Sequence, residues 1–239
     1  MMNLKEVIMK VLEPALIVSI SYLVLGHFCK MPHLLLFCFL GSILLVPIEL
    51  DMIFRAGKKE YGGYSLKSAL AGQQKMSVWK IVGIAFCFFG FAGLTSAIVA
   101  PMEAGIFENI RTSLLNNLPR GFDWTDFEYL KTFSRPVLIF TCVYYGFFNV
   151  LVGPITEELF FRGYLTSHYE KQNAFTPMLI AILFSLYHFW LPFSNIFRII
   201  TFLPVSYVTY KKKNIYIFMC FHCMCNLLST INFARAVLG

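Results

Sequence analysis

The stretch VLIFTCVYYGFFNVLVGP, residues 137–154, carries no formal charge, and it runs almost directly into Thr156-Glu157-Glu158-Leu159-Phe160-Phe161-Arg162. The first part suits the interior of a bilayer, which a helix crosses with about 20 predominantly apolar residues. The second part sets two carboxylates and a guanidinium at its end. Each ionised group at bilayer depth costs about 2.5–3.5 kcal/mol on insertion scales, so three together demand a compensating reason. On a helix, Glu158 and Arg162 lie four residues apart on one face, in the carboxylate-before-cation order that helices favour. Glu157 points about 100° away from that pair. The expectation is one carboxylate held by the cation and its neighbour left free to accept a proton.

The rest of the chain is of the same kind. Of 239 residues, 58% are hydrophobic and 14% charged, and Phe alone occupies 26 positions. Soluble domains run at roughly 45–50% and 25%. A globular fold of this size has too little interior for so much apolar side chain, so the solvent is lipid. The formal charge of +7 is then a topology signal and gives no reason to expect a nucleic-acid partner. Seven cysteines, an odd number placed mostly inside hydrophobic runs, argue against a disulfide framework. His222-Cys223-Met224-Cys225 has soft-metal ligand types, but cysteine in an apolar helix ordinarily serves as a small core hydrophobe. The first hydrophobic stretch contains Glu13-Pro14 and has no small-residue cleavage site, so it reads as a membrane helix and not a signal peptide.

The expected fold class is all-α: a polytopic membrane helix bundle of about seven transmembrane helices, forming a single integral membrane domain over residues 1–239. The expected spans are roughly Val11–His27, His33–Ile53, Val78–Ala100, Pro136–Pro154, Ala174–Phe193, Ile196–Tyr210 and Ile215–Phe233. Ile106, Ile110, Leu114 and Leu115 recur at helical spacing among polar residues, predicting an amphipathic helix on the outer surface. Gly83, Gly90 and Ala97 recur every seven residues and predict a smooth face for close helix packing. Thirteen of the twenty Lys and Arg fall on the side of the N-terminus, the Arg55–Lys80 loop and the Lys211–Lys213 triplet. That excess puts this side in the cytoplasm; the expected location is a bacterial cytoplasmic membrane.

Two further polar groups interrupt the later spans. Phe184-Ser185-Leu186-Tyr187-His188 places a histidine late in the fifth, and His222 and Asn226 lie four residues apart on one face of the seventh. Polar groups in lipid turn to the bundle interior and find one another, so these and the Glu pair are expected around one wet pocket. A desolvated Glu157 is a strong base, able with His188 to deprotonate a water aimed at a carbonyl carbon. His222 and Asn226 would then donate to the oxyanion, each such donor contributing roughly 3–4 kcal/mol. Neither a Gly-x-Ser-x-Gly elbow nor an HExxH pattern is present. The chemistry that fits is hydrolysis by activated water, with no cofactor favoured. Zinc held by Glu157, His188 and His222 is the rival arrangement, since two His and one Glu make a known catalytic shell. A non-enzymatic immunity or scaffold protein, with the polar cluster pinning helices together, is the alternative from another class. A proton-coupled transporter fits less well, because repeat symmetry and broken helix pairs are not evident.

Glu157, Glu158 and Arg162, then Phe184 and His188, then His222 and Asn226 follow the order Glu-Glu-x-x-x-Arg, Phe-x-x-x-His, His-x-x-x-Asn. This series resembles the CAAX-protease and bacteriocin-processing family, also called CPBP or Abi. The resemblance runs from Thr156 to Asn226 and implies a catalytic core over about 136–233. It also implies an intramembrane endopeptidase related to the enzymes that trim prenylated CAAX proteins, glutamate-type or, with a metal bound, a metalloprotease. Carried over, Glu157 and His188 are the water-activating pair, His222 and Asn226 stabilise the oxyanion, and Glu158 and Arg162 shape the site. The implied partners are the bilayer and a peptide or membrane-protein substrate, cut near the cytoplasmic side.

Overall fold

The computed structural model describes every residue from Met1 to Gly239. It is all-helical, with nine helices: α1 (Leu4–Gly26), α2 (His33–Tyr61), α3 (Lys67–Leu70), α4 (Val78–Leu115), α5 (Phe127–Leu130), α6 (Arg135–His168), α7 (Thr176–Tyr187), α8 (Asn195–Lys212) and α9 (Tyr216–Leu238). Five of them, α1, α2, α4, α6 and α9, are long and apolar enough to cross a membrane. The fold class expected from sequence is therefore the fold found, although the count of seven crossings is not reached by this measure.

Local chemistry sets the ends. Asn3 accepts from the Glu6 backbone while Glu6 reaches back to the Asn3 backbone, a reciprocal cap on α1. Gly62, at φ 79°, ends α2 in a left-handed turn that costs glycine nothing. α2 contains one π-helical turn, Gly41–Leu45, and α6 contains two, Phe148–Val152 and Leu159–Leu165. Such turns insert a residue into the helix and are frequent at functional sites.

Three expectations change. The amphipathic residues after Ala100 do not form a separate surface helix, because α4 continues unbroken through Pro101 to Leu115. Gly83 and Gly90 are not a packing face either: a Cβ built at either position meets nothing within 4 Å. The face of α4 that packs inward carries Ala85, Ala92, Thr95 and Glu103. The fifth span stops at Tyr187 instead of Phe193, because His188 leaves helical geometry at φ −81° and ψ 60°. α7 and α8 thus form a hairpin joined by residues 188–194, none of which is fully buried. At 1.5 Å per residue the 12 residues of α7 cover about 18 Å, well short of the roughly 30 Å hydrocarbon thickness.

The centre of the bundle is aromatic. Tyr187, Phe160, Phe161, Phe184, Phe218 and Phe221 are the largest fully buried side chains, contributed by α6, α7 and α9. Phe86, Leu94, Ile98 and Ile106 project outward from α4, as lipid contact requires. At one end of the bundle Met2 bonds with His168 and Glu170 and Gln74 bonds with Lys213; at the other Trp124 bonds with Tyr22. The chain is thus organised around a dry aromatic centre, and the polar residues sit immediately beside it.

Candidate active site

The six residues singled out in the sequence come together in two layers. In the first, Glu158 is fully buried, and its Oε1 accepts from Arg162 Nη1 at 3.1 Å and from His222 Nδ1 at 3.0 Å. The Glu158–Arg162 pair survives the π-helical turn that begins at Leu159. Arg162 is also stacked between rings, its guanidinium carbon 3.8 Å from the Phe218 centroid and 4.3 Å from that of Phe184. Phe184 earns its place in the Phe-x-x-x-His motif here: its ring covers the cation, and its carbonyl accepts from His188 Nδ1 at 2.7 Å. A desolvated guanidinium gains most from an aromatic face, on the order of 2 kcal/mol.

The second layer is a cavity of about 800 Å³ whose wall includes Glu157, His188, His222 and Asn226 together with Phe184, Phe202, Trp190 and Trp124. Glu158 and Arg162 do not line it. Glu157 turns into this space, and its Oε2 lies 3.9 Å from His222 Nε2. His222 therefore bridges the layers, one ring nitrogen on Glu158 and the other facing Glu157. His188 closes α7, and with Nδ1 committed to Phe184 its Nε2 is the nitrogen available to the cavity. The wall extends as far as Trp124, which bonds to Tyr22 at the end of the bundle remote from Met2.

Asn226 is in the cavity wall but already engaged. Its Nδ2 donates to the Asn149 carbonyl at 2.8 Å and contacts Asn149 Oδ1 at 3.3 Å. A carbonyl only accepts, so this contact fixes which end of the amide faces Asn149. Asn149 sits in the π-helical turn Phe148–Val152 and donates in return to Thr230 at 3.0 Å. Asn149 is a strongly polar side chain within the uncharged run 137–154, a signal that apolar periodicity does not flag.

Other residues were missed with less warning. Glu49 of α2 is fully buried and accepts from the Tyr187 hydroxyl. Glu103 of α4 is buried and takes the Ile196 and Phe197 N–H groups at 2.8 and 2.7 Å, capping α8, where a carboxylate complements the positive end of the helix dipole. Arg198 lines the cavity while its Nη1 donates to the Ser185 carbonyl at 3.1 Å. No spacing rule connects these positions to the three motifs.

Metal coordination was the open question. No three His, Cys, Asp or Glu side chains are grouped so as to hold a metal ion. Glu157 Oε2 and His222 Nε2 stand 3.9 Å apart in the cavity that His188 also lines, and His222 Nδ1 is bonded to Glu158. All seven cysteines are free.

Residues 139–228 match the family model described as Type II CAAX prenyl endopeptidase Rce1-like; this segment is similar to CAAX-type proteases, a likeness that supports intramembrane protease activity. All six site residues fall within it. No curated protein and no solved structure matches the chain.

Proposed function

From a membrane bundle whose segment 139–228 is of the Rce1-like kind, we propose a metal-independent intramembrane endopeptidase that hydrolyses a peptide bond with water activated by Glu157 and His188. One integral membrane domain carries the site, with its core over about 136–233. The observation that supports this most is the division of labour between adjacent carboxylates. Glu158 is committed to Arg162 and His222, whereas Glu157 opens into the cavity that His188, His222 and Asn226 also line.

In this mechanism the scissile carbonyl enters the cavity and a water is held between Glu157 and His188. Glu157 takes a proton from the water as the oxygen adds to the carbonyl carbon, and passes it on to the leaving nitrogen. His188 Nε2 orients the water. The tetrahedral oxyanion is met by His222 Nε2 and by Asn226. Because His222 Nδ1 donates to Glu158, a neutral ring turns only a lone pair to the cavity. His222 stabilises an oxyanion as imidazolium, with Glu158 as counter-charge. Asn226 contributes once its amide turns from Asn149, an adjustment of the sort that substrate-free sites make on binding.

The substrate is a peptide or a membrane protein, admitted to a cavity of mixed apolar and polar lining. With the N-terminus in the cytoplasm, as the Lys and Arg distribution suggests, the extension of the cavity towards Trp124 favours access from the opposite leaflet over a cut near the cytoplasmic side.

The test is cleavage of a peptide library by the purified protein in detergent. Glu157→Gln should reduce the rate by roughly 10²–10⁴-fold, the size of a general-base contribution, with an unchanged melting temperature. His188→Ala should do likewise, and a chelator should leave the rate unaltered. Cleavage undiminished in Glu157→Gln would favour the scaffold reading, since an amide hydrogen-bonds but takes no proton. Loss of activity to chelator, restored by zinc, would overturn the metal-free mechanism.

A further inference from the structure

A second cavity, of about 490 Å³, lies at the basic end of the bundle, between the loop after α3, the last turns of α6, the start of α7 and the end of α8. Three cations, Arg162, Lys211 and Lys213, are in its wall, and no Asp or Glu is. Neither lysine takes part in an ion pair.

The chain's unmet hydrogen-bonding capacity collects here. Nine buried side-chain polar atoms lack a partner, and four are on residues of this wall: Nε and Nη2 of Arg162, Oγ of Ser206 and Oγ1 of Thr209. An unsatisfied buried donor costs about 1–3 kcal/mol. Other polar groups of the wall are committed within the protein. Gln172 Nε2 donates to the Thr166 and Tyr169 carbonyls, Asn214 Nδ2 to that of Gln74, and Gln73 Oε1 accepts from Ile215 N–H. What remains is a guanidinium edge, two hydroxyls and two ammonium groups.

We propose that this cavity binds a phosphate-bearing anion, with Arg162, Ser206 and Thr209 at its base and Lys211 and Lys213 at its mouth. Donors contributed by two helices and the chain after them suit the tetrahedral oxygens of phosphate better than a flat carboxylate, and the volume admits a headgroup and not merely an ion. The cavity lies at the bundle end that carries the Lys211–Lys213 triplet, where a lipid headgroup would lie; a soluble phosphate ester has the same chemistry. Arg162 ties this site to the first, because its Nη1 holds Glu158 and Glu158 holds His222. Occupancy would fix the far edge of the guanidinium and so stiffen the catalytic layer. The binding site itself stands on this wall alone and does not require the peptidase reading.

The experiment measures the melting temperature of the whole chain in nanodiscs of phosphatidylcholine, of phosphatidylcholine with phosphatidylglycerol, and of phosphatidylcholine with added inorganic phosphate or glycerol phosphate. A rise of several degrees is expected with phosphatidylglycerol if the source is lipid, or with the soluble phosphates if it is not. Titration should show binding weakened about fivefold by each of Lys211→Gln and Lys213→Gln, the effect of one basic residue at an anionic surface. Thr209→Val should weaken it further in a fold that needs no new packing. Lys58→Gln with Lys59→Gln, remote from the wall, should leave it intact. No stabilisation by any anion, or equal losses in the Lys58/Lys59 variant, would overturn the proposal. Peptide cleavage measured in parallel separates failure here from failure of the peptidase reading.

Discussion

At the scale of the residue, the two glutamates show how neighbouring positions acquire different duties. Glu158 has two donors on one oxygen and no contact with the cavity, while Glu157 has the cavity and one imidazole at 3.9 Å. That contrast was legible in the sequence, because the 100° step per residue and the four-residue reach to Arg162 follow from helical geometry alone. The role of His222 as a bridge was not, since spacing gives a face but not which nitrogen meets which partner. Asn149, which occupies Asn226, was equally hidden: a long-range pair leaves no trace in local pattern. If Asn226 is an oxyanion donor, Asn226→Ala should lower kcat by about 10²–10³-fold with little change in KM, measured by steady-state cleavage. Arg162→Lys keeps the charge but loses the flat surface between Phe184 and Phe218. It should therefore destabilise by about 1–2 kcal/mol, read as a fall in melting temperature.

At the scale of the element, departures from regular α-helix organise the site. α6 carries π-helical turns on both sides of Gly153–Glu158, one holding Asn149 and the other holding Arg162. Apolar periodicity revealed the existence of α6 but not these turns, because an inserted residue changes register without changing composition. In the second turn Gly163 passes against α3: a Cβ there would stand 2.7 Å from the Ala69 carbonyl oxygen and 2.9 Å from its Cβ. Gly163→Val should accordingly cost about 1–3 kcal/mol by overpacking, visible as a lower melting temperature. The same change at Gly83, where the space is open, should cost almost nothing. α4 teaches the reverse lesson. Its heptad of small residues predicted close packing, but recurrence alone does not say which side meets a neighbour, and the inward side is the one bearing Ala85, Ala92 and Thr95. Glu103, on the inward side of the stretch after Ala100, ties α4 to α8 by capping it.

At the scale of the whole molecule, the lipid character and the helical class were plain, because a composition this apolar has no other home. The number of crossings was not, since a 12-residue apolar helix and a long one look alike when a polar loop follows either. Orientation is the remaining global property. With the N-terminus inside, a cysteine placed at Lys212 should resist a membrane-impermeant maleimide in intact cells while native Cys29 reacts, and the opposite pattern would invert the bundle. The α7–α8 turn has a consequence of its own. Non-helical backbone at membrane depth is tolerated only against protein or beside water, and Trp190, Leu191 and Ser194 of that turn do border the cavity. A hydrolase embedded in oil consumes its second reactant at every cycle and must draw it from a solvent that the surrounding tails exclude. The unfinished helix offers that supply line, so turnover by such an enzyme should slow as osmolytes lower the activity of water, even when the peptide is saturating.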